Sequence, residues 1–113
     1  MPSRIMILTG RDYLKAPVHE NNWEFIYGPN ITLGKTFRDD GYKTYCLSKI
    51  ANSFRFGHHQ FEEYDEAPHR FRGSDSRTLF PEAARTNADQ TLAWLEKRKR
   101  DPRPFFIYSA PPV

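Results

Sequence analysis

The stretch TLGKTFRDDGYKTYCLSKI, residues 32–50, decides the fold class of this chain. Thr32 has a side chain suited to a helix N-cap, and Leu33 and Phe37 lie one turn apart on one face of the short helix that should follow. Gly41 suits the left-handed residue that ends such a helix. The letters TYCL come next and are rich in strand formers. We therefore predict a helix, a glycine turn and a strand, the unit of an α/β layer.

A second helix and strand follow later in the chain. Thr86 is the predicted N-cap of the longest helix, and the basic run at residues 97–100 forms its last turn. The predicted apolar stripe of this helix comprises Ala88, Leu92 and Leu95. Two prolines end it, and the apolar run FFIY at residues 105–108 is typical of a strand buried on both faces. Two strands, each preceded by a helix, predict a mainly parallel sheet that is too large for this chain to complete.

The remaining segments are less regular. Pro2 suits the first turn of a short helix that Gly10 would stop. Residues 13–30 show no sustained period and are interpreted as a loop with aromatic anchors. Residues 53–79 are polar, aromatic and irregular, and we predict a long loop there.

The composition allows one small domain and argues against two classes of partner. The 113 residues carry 17 Lys plus Arg and 14 Asp plus Glu, and the only dense basic run lies where a helix should end, where cations stabilise the helix dipole. No aromatic and glycine pattern of an RNA-binding module accompanies this run, so we expect no nucleic-acid partner. No apolar stretch approaches the length of a membrane span, about 20 residues, and no signal-peptide leader is present, so we expect no membrane contact.

The segment HHQFEEYDEAPH, residues 58–69, contains potential metal ligands. They are His58, His59, Glu62, Glu63, Asp65 and His69. Their spacing fits no standard zinc pattern, so we interpret the segment as a surface loop. Cys46 is the only cysteine, which excludes an internal disulfide, and its place in the predicted strand indicates a small buried residue rather than a nucleophile.

The predicted opening helix carries groups that suit an anion. The free N–H groups and the positive end of the dipole lie near Ser3, and Arg4 adds a guanidinium able to bind an oxyanion with two hydrogen bonds. From these residues alone, both an anion site and an ordinary solvated helix end are open.

The same opening stretch resembles a family motif. PSRIMILTGR is similar to the sulfatase signature, which reads Cys or Ser, any residue, Pro-Ser-Arg, a short spacer and Thr-Gly-Arg. Met1 stands at the variable position, so the residue that the family converts to formylglycine falls one place before it. The resemblance implies an α/β, alkaline phosphatase-like fold with a mainly parallel sheet flanked by helices. Residues 1–113 would then form part of a sulfatase catalytic domain whose two ends are absent from this chain.

Two later stretches support the resemblance in the correct order. Residues 32–50 are similar to the family's helix, Gly-Tyr, strand and Gly-Lys segment, although Ser48 replaces the usual glycine. Residues 88–113 resemble the helix and buried strand that lead to a Pro-His pair at the active site. The histidine that the family places two or three residues after Lys49 is not found here.

The resemblance also implies roles for individual residues. Arg4 would position the nucleophile, and Lys49 would contact the sulfate group. Ser3 would lie at the substrate, and Asn52, His58 or His59 would stand in for the missing histidine.

The implied activity is hydrolysis of a sulfuric ester, on a small aryl alcohol or a carbohydrate. Full-length members use calcium, or magnesium, to neutralise the sulfate oxygens. This chain lacks the family's paired aspartates, so we expect it to bind no such ion and to be inactive alone. Members are commonly periplasmic, extracellular or lysosomal, but we find no targeting signal in this sequence, so the compartment stays open.

Two alternative functions stay open. A phosphomonoester or phosphonate hydrolase of the same superfamily shares the fold and part of the motif. A non-catalytic remnant or small binding module is the other, because the histidine after Lys49 is missing.

Overall fold

The computed structural model describes residues 2–11, 31–48, 60–66 and 76–110. Within these ranges the chain forms three helices and three strands. In chain order they are α1 (Pro2–Thr9), α2 (Leu33–Asp39), β1 (Lys43–Ser48), β2 (Glu63–Glu66), α3 (Ser76–Lys97) and β3 (Phe105–Ala110). The loop predicted at residues 13–30 lies outside the described ranges. None of the described helices is both long and apolar enough to cross a membrane.

The three strands form one parallel sheet in the order β2-β1-β3. Tyr45 of β1 is in register with Glu63 on one side and with Ile107 on the other. The central strand β1 is buried along nearly its whole length. The predicted α/β class and the parallel sheet are both confirmed. Parallel neighbours cannot be joined by a tight hairpin, which is why each strand pair here is separated by a long connection.

Helix α2 begins and ends as the sequence predicts. The Thr32 side chain accepts a hydrogen bond from the Lys35 amide at 3.3 Å, and Gly41 has the positive φ of 90° that ends the helix. Its buried face differs from the prediction, however. Leu33 is 37% exposed, whereas Gly34 is buried under the ring of Phe61. The ring needs the space that only a glycine leaves, and this contact sets the rotation of the helix.

Two hydrophobic cores lie on opposite faces of the sheet, and β1 contributes to both. On the face of α1 and α2, the core comprises Leu8, Cys46 and Phe61, with Phe106 and Tyr108 against it. On the face of α3, it comprises Tyr45, Leu47 and Trp94, with Leu95 and Ile107 against it. Cys46 is therefore a small buried residue, as predicted.

Helix α3 begins earlier than predicted and presents a different face to the sheet. It starts at Ser76, so Thr86 is not its N-cap but an interior residue whose hydroxyl donates to the Glu82 carbonyl. Leu92 of the predicted stripe is 62% exposed, and Ala88 is exposed as well. The reason is Trp94, which stacks on Tyr45 with ring centroids 5.0 Å apart. Turning this large ring inward moves the Ala88–Leu92 side of the helix about 100° away from the sheet.

Two further predictions need correction. The loop predicted at residues 53–79 contains strand β2 and the first turn of α3. The FFIY run is not fully buried, because its side chains are half-buried or exposed, although Phe106 and Tyr108 pack against one core and Ile107 against the other. Among the described strands, β1 is the one that is buried on both faces, since its side chains enter both cores.

Candidate functional site

The candidate site is the edge of the sheet where the three parallel strands end. Ser48, Glu66 and Ala110 are in register there as the last residues of their strands. Ligands of open α/β sheets bind beyond the carboxyl ends of the strands, because loops and helix termini converge there. Lys49 directly follows Ser48 in the sequence. Lys49 and the residues after Ala110 lie outside the described residues.

The predicted site residues fall only partly within the described structure. Ser3 and Arg4 lie in the first turn of α1, as predicted, but their side chains are outside the described part. Lys49, Asn52 and His58 lie outside the described residues altogether. Their roles therefore stay predictions.

One polar pair that the sequence reasoning missed lies at this edge. Asn87 on the inner face of α3 is only 3% exposed, and its Oδ1 accepts a hydrogen bond of 2.7 Å from the Ser109 hydroxyl in β3. The Nδ2 atom of Asn87 is buried and has no hydrogen-bond partner among the described residues. A signal was present in the sequence, since Asn87, Thr91 and Trp94 repeat at helical spacing and mark the face that α3 turns inward.

The opposite, amino-terminal edge of the sheet holds a cluster of charges. Lys43 Nζ lies 2.7 Å from Glu63 Oε1 and 2.9 Å from Glu62 Oε1, and Arg103 reaches Glu62 at 3.4 Å. The hydrogen bond from Lys43 holds the pKa of the Glu63 carboxyl below its usual value, and the same bond raises the pKa of Lys43. These carboxylates are therefore engaged in ion pairs that join β1, β2 and the turn before β3.

A shallow cleft of about 240 Å³ lies between α3 and the β1–β2 half of the sheet. Its polar groups are largely paired with one another. Trp94 Nε1 donates to Glu63 Oε2, and the Tyr45 hydroxyl donates to Asp65 Oδ2, both at 2.8 Å. Burial and the neighbouring Asp65 carboxylate raise the pKa of the Tyr45 phenol. We therefore interpret these groups as structural, because their hydrogen bonds stabilise the packing of α3 and the two strands.

The described ranges contain no group of three or more His, Cys, Asp or Glu side chains placed to hold a metal ion. Glu62 and Glu63 of the segment at residues 58–69 form ion pairs instead, and Asp65 accepts from Tyr45. His58, His59 and His69 lie outside the described residues.

Comparison with known proteins gives one match. The family model described as Sulfatase matches residues 1–112, which is nearly the whole chain. Searches of curated proteins and of solved structures give no match.

Proposed function

This chain belongs to the sulfatase family, and on that premise we propose that it supplies part of the catalytic domain of an enzyme that hydrolyses a sulfuric ester. The observation that carries the proposal is the family match over residues 1–112, which includes the Pro-Ser-Arg and Thr-Gly-Arg groups of the opening motif. The parallel sheet supports it, because a mainly parallel α/β sheet is the architecture that the resemblance implies.

The proposed chemistry is electrostatic stabilisation of a sulfate group. Helix α1 starts at Pro2, so its free N–H groups favour an oxyanion, and Arg4 in the same turn adds a cation with two donors. Lys49, which follows β1, is the proposed contact to the sulfate oxygens as the alcohol leaves. Ser3, Asn52 and His58 complete the proposed substrate-binding set.

The substrate that we propose is a small aryl or carbohydrate sulfate ester. Hydrolysis breaks its S–O bond and releases the alcohol and inorganic sulfate, with water supplying the remaining atoms. The calcium or magnesium ion that the family resemblance implies finds no ligand cluster among the described residues. No step proposed here depends on that ion.

The test is an assay of the full gene product, including any residues that precede Met1 or follow Val113. We expect release of 4-nitrophenol from its sulfate ester, and loss of at least 100-fold in kcat/KM for Arg4→Ala or Lys49→Ala, because removal of one group that stabilises transition-state charge costs about 10²–10³. An exposed cation on α3, replaced as Arg85→Ala, is the matched control and should leave the rate unchanged.

The same assay separates the alternatives. A phosphate ester of the same phenol, turned over faster than the sulfate, would replace the proposal with a phosphomonoester hydrolase. A gene product that turns over neither ester would overturn the proposed hydrolase function and favour a non-catalytic module.

A further inference from the structure

We propose that Asn87 is a positioning residue for the reaction proposed above, and this inference rests on that proposed function. Through Ser109, Asn87 fixes the carboxyl end of β3 at the edge of the sheet where the site lies. Asn87 lies outside the stretches that suggested the function, whereas Ser109 lies within the third of them, residues 88–113.

The contact joins α3 and β3 at a defined position along the strand. Helix α3 runs antiparallel to the strands, because its Trp94 end lies near Phe105 at the start of β3 whereas Asn87 meets Ser109 near the end of that strand. Ser109 in turn is in register with Leu47, and the next pair is Ala110 with Ser48. A displacement of Ser109 would therefore pass through the ladder to the residue that precedes Lys49.

The hydrogen bond occupies one end of the Asn87 amide. Because Oδ1 accepts from the Ser109 hydroxyl, the Nδ2 end, with its two N–H donors, is the end left without a partner among the described residues. A buried donor without an acceptor is costly, and such exceptions in native proteins call for a functional explanation. An apolar side chain would pack against the sheet without that cost. An amide at this buried position therefore points to a role beyond filling space, and the contact that it makes is the one to Ser109.

The contact is distinct from the other polar bond of α3 to the sheet. Trp94 Nε1 donates to Glu63 Oε2 about two helical turns away, toward the charged amino-terminal edge. Both bonds attach α3 to the sheet, and of these two the bond at Asn87 lies near the carboxyl edge. Trp94→Phe, which removes one hydrogen bond and keeps a large ring, is therefore the matched control.

The experiment measures steady-state kinetics of the full gene product toward 4-nitrophenyl sulfate, at a temperature where every variant is folded. For Asn87→Leu and Ser109→Ala we expect kcat to fall at least tenfold with KM changed less than threefold. The double variant should lose no more than the more severe single one, because both break the same bond. Trp94→Phe should lower Tm and leave kcat unchanged.

Unchanged kcat in Asn87→Leu, or an equal loss of kcat in Trp94→Phe, would overturn the inference. A second measurement does not need turnover. Hydrogen exchange of the β3 amides should accelerate at Ser109 and Ala110 in Asn87→Leu and stay unchanged at Phe106, and uniform exchange along β3 would overturn the anchoring role. An inactive wild-type product would overturn the proposed function and the catalytic role of Asn87 with it, while hydrogen exchange would still decide whether Asn87 anchors β3.

Discussion

Gly34 is the residue on which the contact between α2 and Phe61 depends. A Cβ atom at this position would lie 2.5 Å from Phe61 Cε2, well inside normal contact distance. Phe61 itself is buried between Leu8 and the aromatic side chains of β3, so its ring has little room to move.

We therefore expect Gly34→Ala to destabilise the protein by about 1–3 kcal/mol, the usual cost of overpacking, although alanine is the better helix former by about 1 kcal/mol. Urea denaturation followed by fluorescence measures the change. Leu33→Ala on the exposed side of α2 is the control and should cost less than Gly34→Ala. A stabilised Gly34→Ala variant would contradict the packing described here.

The Glu63 carboxylate makes stability depend on pH. Its pKa in the folded protein lies below the ordinary value of 4.5, chiefly because Lys43 donates a hydrogen bond to it. A lowered pKa in the folded state means that the ion pair contributes fully above about pH 4.5 and that this contribution is lost as pH falls through the lowered pKa.

Glu63→Gln should therefore flatten the decline of the unfolding free energy below pH 4.5. The difference at neutral pH should be at most about 1 kcal/mol, since the pair is partly exposed and screened by solvent. Chemical denaturation across about pH 3–7 measures the difference in unfolding free energy between the two proteins. This range covers the ordinary titration of carboxyl groups. Glu96→Gln, at an exposed ion pair, is the control. Parallel pH curves for wild type and Glu63→Gln would contradict the assignment.

Among the elements, α3 shows how a correct helix can be predicted with the wrong face inward. The Leu92 side chain is exposed, while Trp94 is 6% exposed and stacked on Tyr45. We expect Trp94→Ala to cost about 3–5 kcal/mol and Leu92→Ala to stay within about 0.5 kcal/mol. Thermal unfolding of both variants checks the order of the two effects. A larger loss of stability for Leu92→Ala than for Trp94→Ala would indicate that α3 buries the face predicted from the sequence.

The elements that the sequence predicted well are those with strong local signals. The cap at Thr32 and the glycine stop at Gly41 depend on backbone conformation within a few residues, so they are readable from the sequence. Strand β2 has the sequence EYDE, which has no apolar alternation, and it is a strand because β1 offers it a free edge. The polar contact of Asn87 with Ser109 likewise depends on how α3 lies across the sheet, which no local pattern specifies.

At the scale of the whole molecule, the two edges of the sheet have different characters. The amino-terminal edge is tied by ion pairs among Lys43, Glu62, Glu63 and Arg103. Near the carboxyl edge, Asn87 is buried, and its Nδ2 donor has no partner among the described residues. The stabilising ion pairs and the proposed chemistry thus belong to opposite ends of the same three strands.

The order β2-β1-β3 also bears on how the chain matures during synthesis. Of the three described strands, the central strand β1 is synthesised first. It cannot pair with β3, in which Phe105 is in register with Lys43, until that strand has been synthesised much later. Until then the apolar side chains of β1 have neither their full set of neighbours nor a local hairpin to shield them. We therefore expect the nascent chain to be most prone to aggregation between the synthesis of β1 and that of β3.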